Sequence, residues 1–548
     1  MPCAPSCALL ASLLICLPIS CVAAPGPTVV RVDAAANRHA ISSLIYGVNF
    51  GDQKQLEALN SPLNRFGGNN ASRYNWKINA HNIDDDWYFE SVSDGPDVPG
   101  QKVDQFIAAT KAAGAQPMVT IPMVGWVAKL GPKRSVLSSF SVAKYGPQQK
   151  TAPGDPDAGN GMKVDGKTPV IGNDPNDADT PSSPAFMKGW VRHLVARWGL
   201  ADAGGVRYYI MGNEPGLWNS THRDVHPKPE TMDEELADIV AYGSMVRSVD
   251  PGAQIVGPEF WGWPAYFADA SDGVYAAAHH YQGHPDRDRH GGLAFGPWLL
   301  QQLHEQQIKT GRRLIDVFTL HYYPADVAFK EDVSAKMVAL RDADTRSLWD
   351  PNYTDPSWIN SKIDLIPRMK RWVDTYYPGT KIGITEYNWG AENDINGATA
   401  EADVLGIFGR EGLDLATLWT APKLGDMVAD AMQMYRNYDG KDSTFGDVSV
   451  SDTAPDPDAL SSFAAIRSGD DALTVMLIGK APGAAHVVTL AMSHFAAGDA
   501  AQVWQLASAS GIHRLPDAPV VNNEVDLTVP AQSVTLLIVP PAARSRHP

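Results

Sequence analysis

Two carboxylates stand out by where they fall. Glu214 closes the run Tyr208-Tyr209-Ile210-Met211-Gly212-Asn213-Glu214-Pro215. Glu386 closes Ile382-Gly383-Ile384-Thr385-Glu386 and is followed by Tyr387-Asn388-Trp389. Each acid comes directly after a short apolar stretch of strand character. Paired acids of this kind can split an acetal: one protonates the leaving oxygen and the other attacks the anomeric carbon, with carboxyls about 5–5.5 Å apart in the retaining form. Asn213, just before the first acid, can hydrogen-bond a sugar 2-OH, a contact that strengthens in an oxocarbenium-like transition state. A single strand-end Glu is more often a salt-bridge partner, so the pair carries the reading. Arg65, in Leu63-Asn64-Arg65-Phe66-Gly67, could hold a nucleophile ionised. His321, Tyr322 and Tyr323 end another run, where a hydroxyl of Tyr323 could orient Glu386. Glu259 is a further acid of the same kind and an alternative catalytic candidate.

Such side chains need a scaffold that brings strand ends together. Eight strand candidates occur, over 44–50, 63–67, 116–121, 207–211, 254–257, 314–320, 381–385 and 415–418. Helical patterns lie between many of them. Val103, Phe106, Ile107 and Thr110 have i, i+3, i+4, i+7 spacing, and Gly114 follows as a stop. Ser183-Pro184 opens a helix carrying Phe186, Trp190, Leu194 and Trp198; Thr231 and Glu234 have capping-box spacing. Eight β runs alternating with helices predict an α/β protein with a TIM-like (β/α)8 barrel over 43–435, the rival being an open doubly wound sheet. Barrel sites form at the C-terminal strand ends. Glu214 after the fourth strand and Glu386 after the seventh would face each other across the mouth. From about residue 436 helical periodicity fades, and β runs separated by Pro, Gly and Asp predict an additional all-β sandwich domain over 436–548. A leader strand within 25–42 could join that sandwich.

The chain has 15 tryptophans. Those near strand ends are candidate sugar platforms, because a pyranose C–H face stacks on an indole: Trp87, Trp126, Trp261, Trp263, Trp349, Trp358, Trp389 and Trp419. Several platforms would suit a polymer. The long irregular stretch over 123–183 is rich in hard oxygen ligands, and Asp155, Asp157, Asp177 and Asp179 are candidate ligands of a structural Ca²⁺. No HExxH cluster occurs, and no cofactor is expected for catalysis.

Composition narrows the partners. The 548 residues hold 45 Lys+Arg against 62 Asp+Glu, a net charge of −17. An acidic surface argues against nucleic acid and against anionic membranes, and leaves a neutral polysaccharide acceptable. Residues 1–24 carry no charge, and Leu9–Cys16 is an apolar run of signal-peptide length, so secretion after cleavage is expected, to the periplasm or outside the cell. All four cysteines lie in this segment. A soluble monomer without internal disulfides is the expectation.

At these residues the chain resembles glycoside hydrolase family 44, the endoglucanase and xyloglucanase family. The matching segments are YGVNFG (46–51), LNRFGGNNASRYNWKINAHN (63–82), VTIPMVGWVAK (119–129), DAGNGMK with GNDPNDAD (157–179), YYIMGNEPGLWNSTHRDVHP (208–227), GPEFWGW (257–263), DVFTLHYYP (316–324) and ITEYNWG (384–390). The resemblance implies a TIM-like barrel with a β-sandwich and a retaining double displacement, with Glu214 as acid/base and Glu386 as nucleophile. It also implies β-1,4-glucan substrates and a bound calcium. A β-1,4-mannanase or xylanase with the same machinery, a transglycosylase, and a non-catalytic glucan-binding protein remain alternatives.

Overall fold

The computed structural model describes residues 27–483, 485–507 and 511–543; the candidate signal segment and all four cysteines lie outside them. Eight parallel strands close into a barrel: Gly47–Asn49, Leu63–Phe66, Gln116–Ile121, Tyr208–Met211, Gln254–Phe260, Val317–Tyr322, Lys381–Tyr387 and Leu415–Leu418. Neighbours in the ring are neighbours in sequence, and the eighth strand pairs with the first. The open doubly wound sheet is thereby excluded. All eight expected runs are strands, although the first is shorter, because Ser43–Tyr46 is a 3-10 turn.

Period two along the strands builds the lumen. Its lower layers are apolar: Leu63, Met118, Tyr208, Ile210, Val256, Val317 and Leu415 pack together. Two residues further along the second strand stands Arg65. Two and four residues further along the sixth stand Thr319 and His321. The barrel is therefore plugged with hydrocarbon at its base and polar at its mouth.

The helices form as their caps dictate. The helix Pro184–Trp198 starts at Ser183, whose hydroxyl accepts from Phe186 N–H; Met232–Val249 starts at Thr231, which accepts from Glu234 N–H. The helix before the last barrel strand, Ile395–Arg410, starts at Asp394, whose carboxylate accepts from Asn396 N–H.

The C-terminal region is a ten-stranded sheet. The strand Thr28–Asp33 lies inside it, antiparallel to Val448–Thr453 and parallel to His486–Ser493. One face of its central strands supplies Ala464, Val475, Leu477 and Leu537 to a separate sandwich core. The other face supplies Phe463, Ala465, Met476, Ile478, Leu536 and Ile538 to the main core beside the barrel helices. Both faces are dry, so these strands read as continuous apolar runs rather than as alternation.

Candidate active site

Glu214 and Glu386 meet at the barrel mouth. One Glu214 oxygen, one Glu386 oxygen and one His321 ring nitrogen all lie within 4.8 Å of one another. Glu214 sits at φ 46°, followed by the 3-10 turn Pro215–Leu217. This left-handed backbone turns the side chain inward from the end of strand four and is the kind of strain that collects at functional sites.

Arg65 lies beneath both acids and is fully buried. Its Nη1 donates to Glu386 (2.7 Å) and to Asn49 (2.9 Å). Its Nη2 donates to Asn213 (2.8 Å) and to Glu259 (2.7 Å). The second oxygen of Glu386 accepts from Tyr323 Oη at 2.6 Å. His321 stands between the acids: Nδ1 is 2.7 Å from Glu214 Oε1, and Nε2 is 3.1 Å from Glu259 Oε2. Thus Asn213, Arg65, His321 and Tyr323 all join the two acids in one hydrogen-bonded network.

Glu259 has a different place from the two acids above it. It is completely buried and accepts from Arg65, His321, Thr319 (2.6 Å) and Thr385 (2.9 Å). An acid with every lone pair occupied and no exposed surface touches no substrate, so the alternative catalytic assignment of Glu259 is excluded. A β-bulge puts it there. Pro258 and Phe260 pair with adjacent residues of strand six, leaving Glu259 as the extra residue at φ 62°. Thr385 is likewise the extra residue of strand seven, and the shift lets Thr385 and Glu386 both serve the site.

The electrostatics divide the groups. Burial raises the Glu214 carboxyl above its ordinary range; His321 pulls it back and Glu386 adds to the rise. Burial would also raise Glu259, but the Arg65 charge, His321 and Thr319 outweigh it and hold Glu259 at about 2. Burial depresses the His321 imidazolium, yet Glu386, Glu214 and Glu259 together bring it up to about 10. Charged, the ring donates from both nitrogens to carboxylates.

The tryptophans separate. Trp419 is half-buried in the mouth: its ring lies edge-on to Phe50, and a Cβ on Gly68 would come within 2.5 Å of it. Trp261 is half-buried beside the turn after Glu214, 3.2 Å from a Cβ built on Gly216. Trp126 is half-buried in a small ribbon, Trp126–Ala128 paired with Asp179–Pro181. Trp87, at the end of the 3-10 turn Asp84–Trp87, is 43% exposed, and Trp358, on a loop, is 67% exposed. Trp389 must be corrected: at 2% exposure it packs on Tyr322 and Tyr387 and offers no face to a sugar. Trp349 must be corrected too, since it lies under Arg410 near sandwich residue Phe463, away from the mouth. Trp263 packs on Phe267 with Arg368 over it. Beside the mouth stand two exposed aromatics outside the expected set: Phe50 directly after strand one, and Phe329, whose ring lies 4.9 Å from that of Tyr323. The position of Phe50 in YGVNFG was a usable signal; Phe329 carried none.

The proposed calcium ligands do not fit one ion. Asp157 accepts from Ser141 and from Ala143 N–H, capping a short helix, while Asp155 accepts from Asp157 N–H. Asp177 is held by Lys144 and Tyr145, and Asp179 is buried against Arg73. Loop richness in acids reflected capping and ion pairing.

Comparison with known proteins agrees with this geometry. Residues 80–326 match the model of glycoside hydrolase family 44. The chain is 32% identical over 487 residues to a β-mannanase/endoglucanase A of Caldicellulosiruptor saccharolyticus, covering 82% of this chain and 34% of that protein. It is 32% identical over 480 residues to endoglucanase A of Paenibacillus lautus, covering 83% and 64%. It thus spans less than two thirds of the length of either. CelM2, a bifunctional glucanase-xylanase from a metagenome library, superposes with a TM-score of 0.93 at 52% identity, covering 94% of this chain and 99% of that one. A Paenibacillus polymyxa xyloglucanase of family 44 superposes at 0.79 with 29% identity, covering 93% and 99%. By sequence, fold and the acids at its mouth, the chain belongs to glycoside hydrolase family 44.

Proposed function

We propose that the protein is a secreted retaining glycoside hydrolase that cleaves internal β-1,4-glucosidic bonds of cellulose-type glucans and xyloglucan. The observation that carries the reading is the approach of Glu214 and Glu386 to within 4.8 Å, which fits nucleophilic attack and leaves little room for a water between them. Glu386 attacks the anomeric carbon while Glu214 gives its proton to the departing oxygen. The ester that forms is opened by water, whose proton returns to Glu214. Before attack, Arg65 and Tyr323 fix both oxygens of Glu386, and Asn213 is fixed through Oδ1 by Arg65 and Gly68 N–H while its amide donates to Asn69 Oδ1 at 3.4 Å. Trp261 and Trp419 supply platforms on either side.

The substrate reading draws on the glucanase, xylanase and xyloglucanase relatives, one of them solved with xyloglucan. Mannan or xylan is the second reading, because a relative is a β-mannanase/endoglucanase. Reducing-end release from xyloglucan, carboxymethyl cellulose, mannan and xylan tests it. Cleavage of a β-glucan that Glu214→Gln and Glu386→Gln each reduce by roughly 10³-fold or more supports the proposal. Cleavage of mannan or xylan alone moves the substrate, and full activity in either folded variant overturns the role of that acid.

A further inference from the structure

The mouth holds two cations, Arg65 and His321, and three acids. With Glu214 protonated, the charges of Arg65 and His321 balance those of Glu259 and Glu386. The arrangement has one unusual member. Glu259 spends a bulge and a left-handed backbone to reach a position where it contacts no substrate. Its four donors are the two cations and two threonine hydroxyls, Thr319 and Thr385, which can only add to its fixation as an anion.

The groups that face His321 come from every side. Glu214 comes from the end of strand four, Glu259 from strand five, Glu386 from strand seven (3.5 Å from Nδ1), and Arg65 from strand two, 3.5 Å from Nε2. Tyr266 donates to the His321 carbonyl, and Tyr323 beside it donates to Glu386. Apart from Arg65, every charged neighbour is a carboxylate. At Nε2 the neighbouring oxygen belongs to Glu259, so Glu259 decides whether that nitrogen carries a proton.

We propose that Glu259 is a positioning residue that keeps the His321 ring doubly protonated, so that Nδ1–H is committed to Oε1 of Glu214 and the transferable proton of Glu214 is confined to Oε2. This rests on Glu214 being the acid/base. The consequence is directional. A neutral His321 with its proton on Nε2 would turn Nδ1 into an acceptor, draw the Glu214 proton onto Oε1, and aim it away from the glycosidic oxygen. Double protonation removes that choice in both halves of the reaction, because a two-donor ring can only donate to Glu214. The high titration of His321, at about 10, agrees with a ring that stays charged through the working range.

The test reads the ring directly. In the full chain with ¹⁵N-labelled histidine, the His321 signals are those lost in His321→Asn. The expectation is two protonated ring nitrogens from pH 5 to 9. In Glu259→Gln the ring should titrate inside that window, and kcat should fall on the order of 10²-fold with KM changed far less. The loss should steepen on the alkaline side at the pH where the ring loses its proton. A merely structural Glu259 would lower kcat evenly across pH. A wild-type His321 with one bare nitrogen at pH 7 overturns the proposal without any variant, and so covers failure of Glu259→Gln to fold. A Glu259→Gln enzyme with an unchanged ring and pH profile also overturns it. Full activity of Glu214→Gln would instead sink the acid/base assignment beneath it, whatever the ring does.

Discussion

Arg65 is the residue on which the mouth converges, and its removal should cost stability as well as rate. It neutralises Glu259 and Glu386 where neither is hydrated, and a buried carboxylate left unpaired costs about 3–5 kcal/mol. Arg65→Met should therefore lose stability on that scale by denaturant titration, along with nearly all activity. Tyr323→Phe is milder. It removes one hydrogen bond to a carboxylate, worth about 1.5–3 kcal/mol, so kcat should fall roughly 10- to 100-fold with the melting temperature nearly unchanged. Both acids and the four residues that hold them were legible in the sequence, because strand ends, apolar runs and Asn-Glu adjacency are local signals. The role of Glu259 was not, because a bulge breaks period two without any residue that announces it. The calcium ligands and Trp389 misled for one reason: composition gives a residue's type, while burial and partners decide what it can touch.

At the scale of elements, the helix before the last barrel strand, Ile395–Arg410, is the joint between the two regions. Every residue from Asn396 to Gly409 is buried, since the helix has the barrel on one side and the sheet on the other. A helix enclosed on all sides cannot show an amphipathic stripe, and its small residues are what allow close approach. A Cβ on Gly406 would fall 2.2 Å from the Phe463 ring. Gly406→Ala should cost about 1–3 kcal/mol by overpacking, read as a lower denaturation midpoint with kcat per folded molecule preserved. Strand legibility followed the same physics. Runs such as Ser533–Val539 were readable because β-branched and apolar residues are continuous. Leu460–Arg467 was not, since its serines and alanines hide a strand buried on both faces. His513–Pro519 was not, since its two prolines fit only the sheet edge where it lies.

At the scale of the whole molecule, burial pushes the titration of several acids up, and they set how stability depends on pH. Burial raises Glu401 to about 8, Asp344 to about 8 and Asp342 to about 7. A carboxyl raised in the folded state gives its full stabilisation below its ordinary value and loses it as pH rises through the folded value. Glu259, held at about 2, acts oppositely, but only below its ordinary range. Melting temperature should therefore be higher near pH 5 than near pH 8.5. The reverse order would show that these acids ionise in place. The β region is tied to the barrel helices: Lys480 from the sheet pairs with Asp403 of the buried helix at 2.5 Å. Lys480→Met, which leaves Asp403 buried and unpaired, should lower the melting of barrel and sheet together.

The central claim is that Glu386 forms a covalent bond with the sugar while Glu214 trades its proton. The most direct measurement is ¹H NMR of the first anomer released from a soluble β-1,4-glucan oligosaccharide, before mutarotation. The account predicts the β-anomer at early times, with the α-anomer appearing only later. An α-anomer released first would mean direct displacement by water, and would contradict the double displacement at this pair of acids.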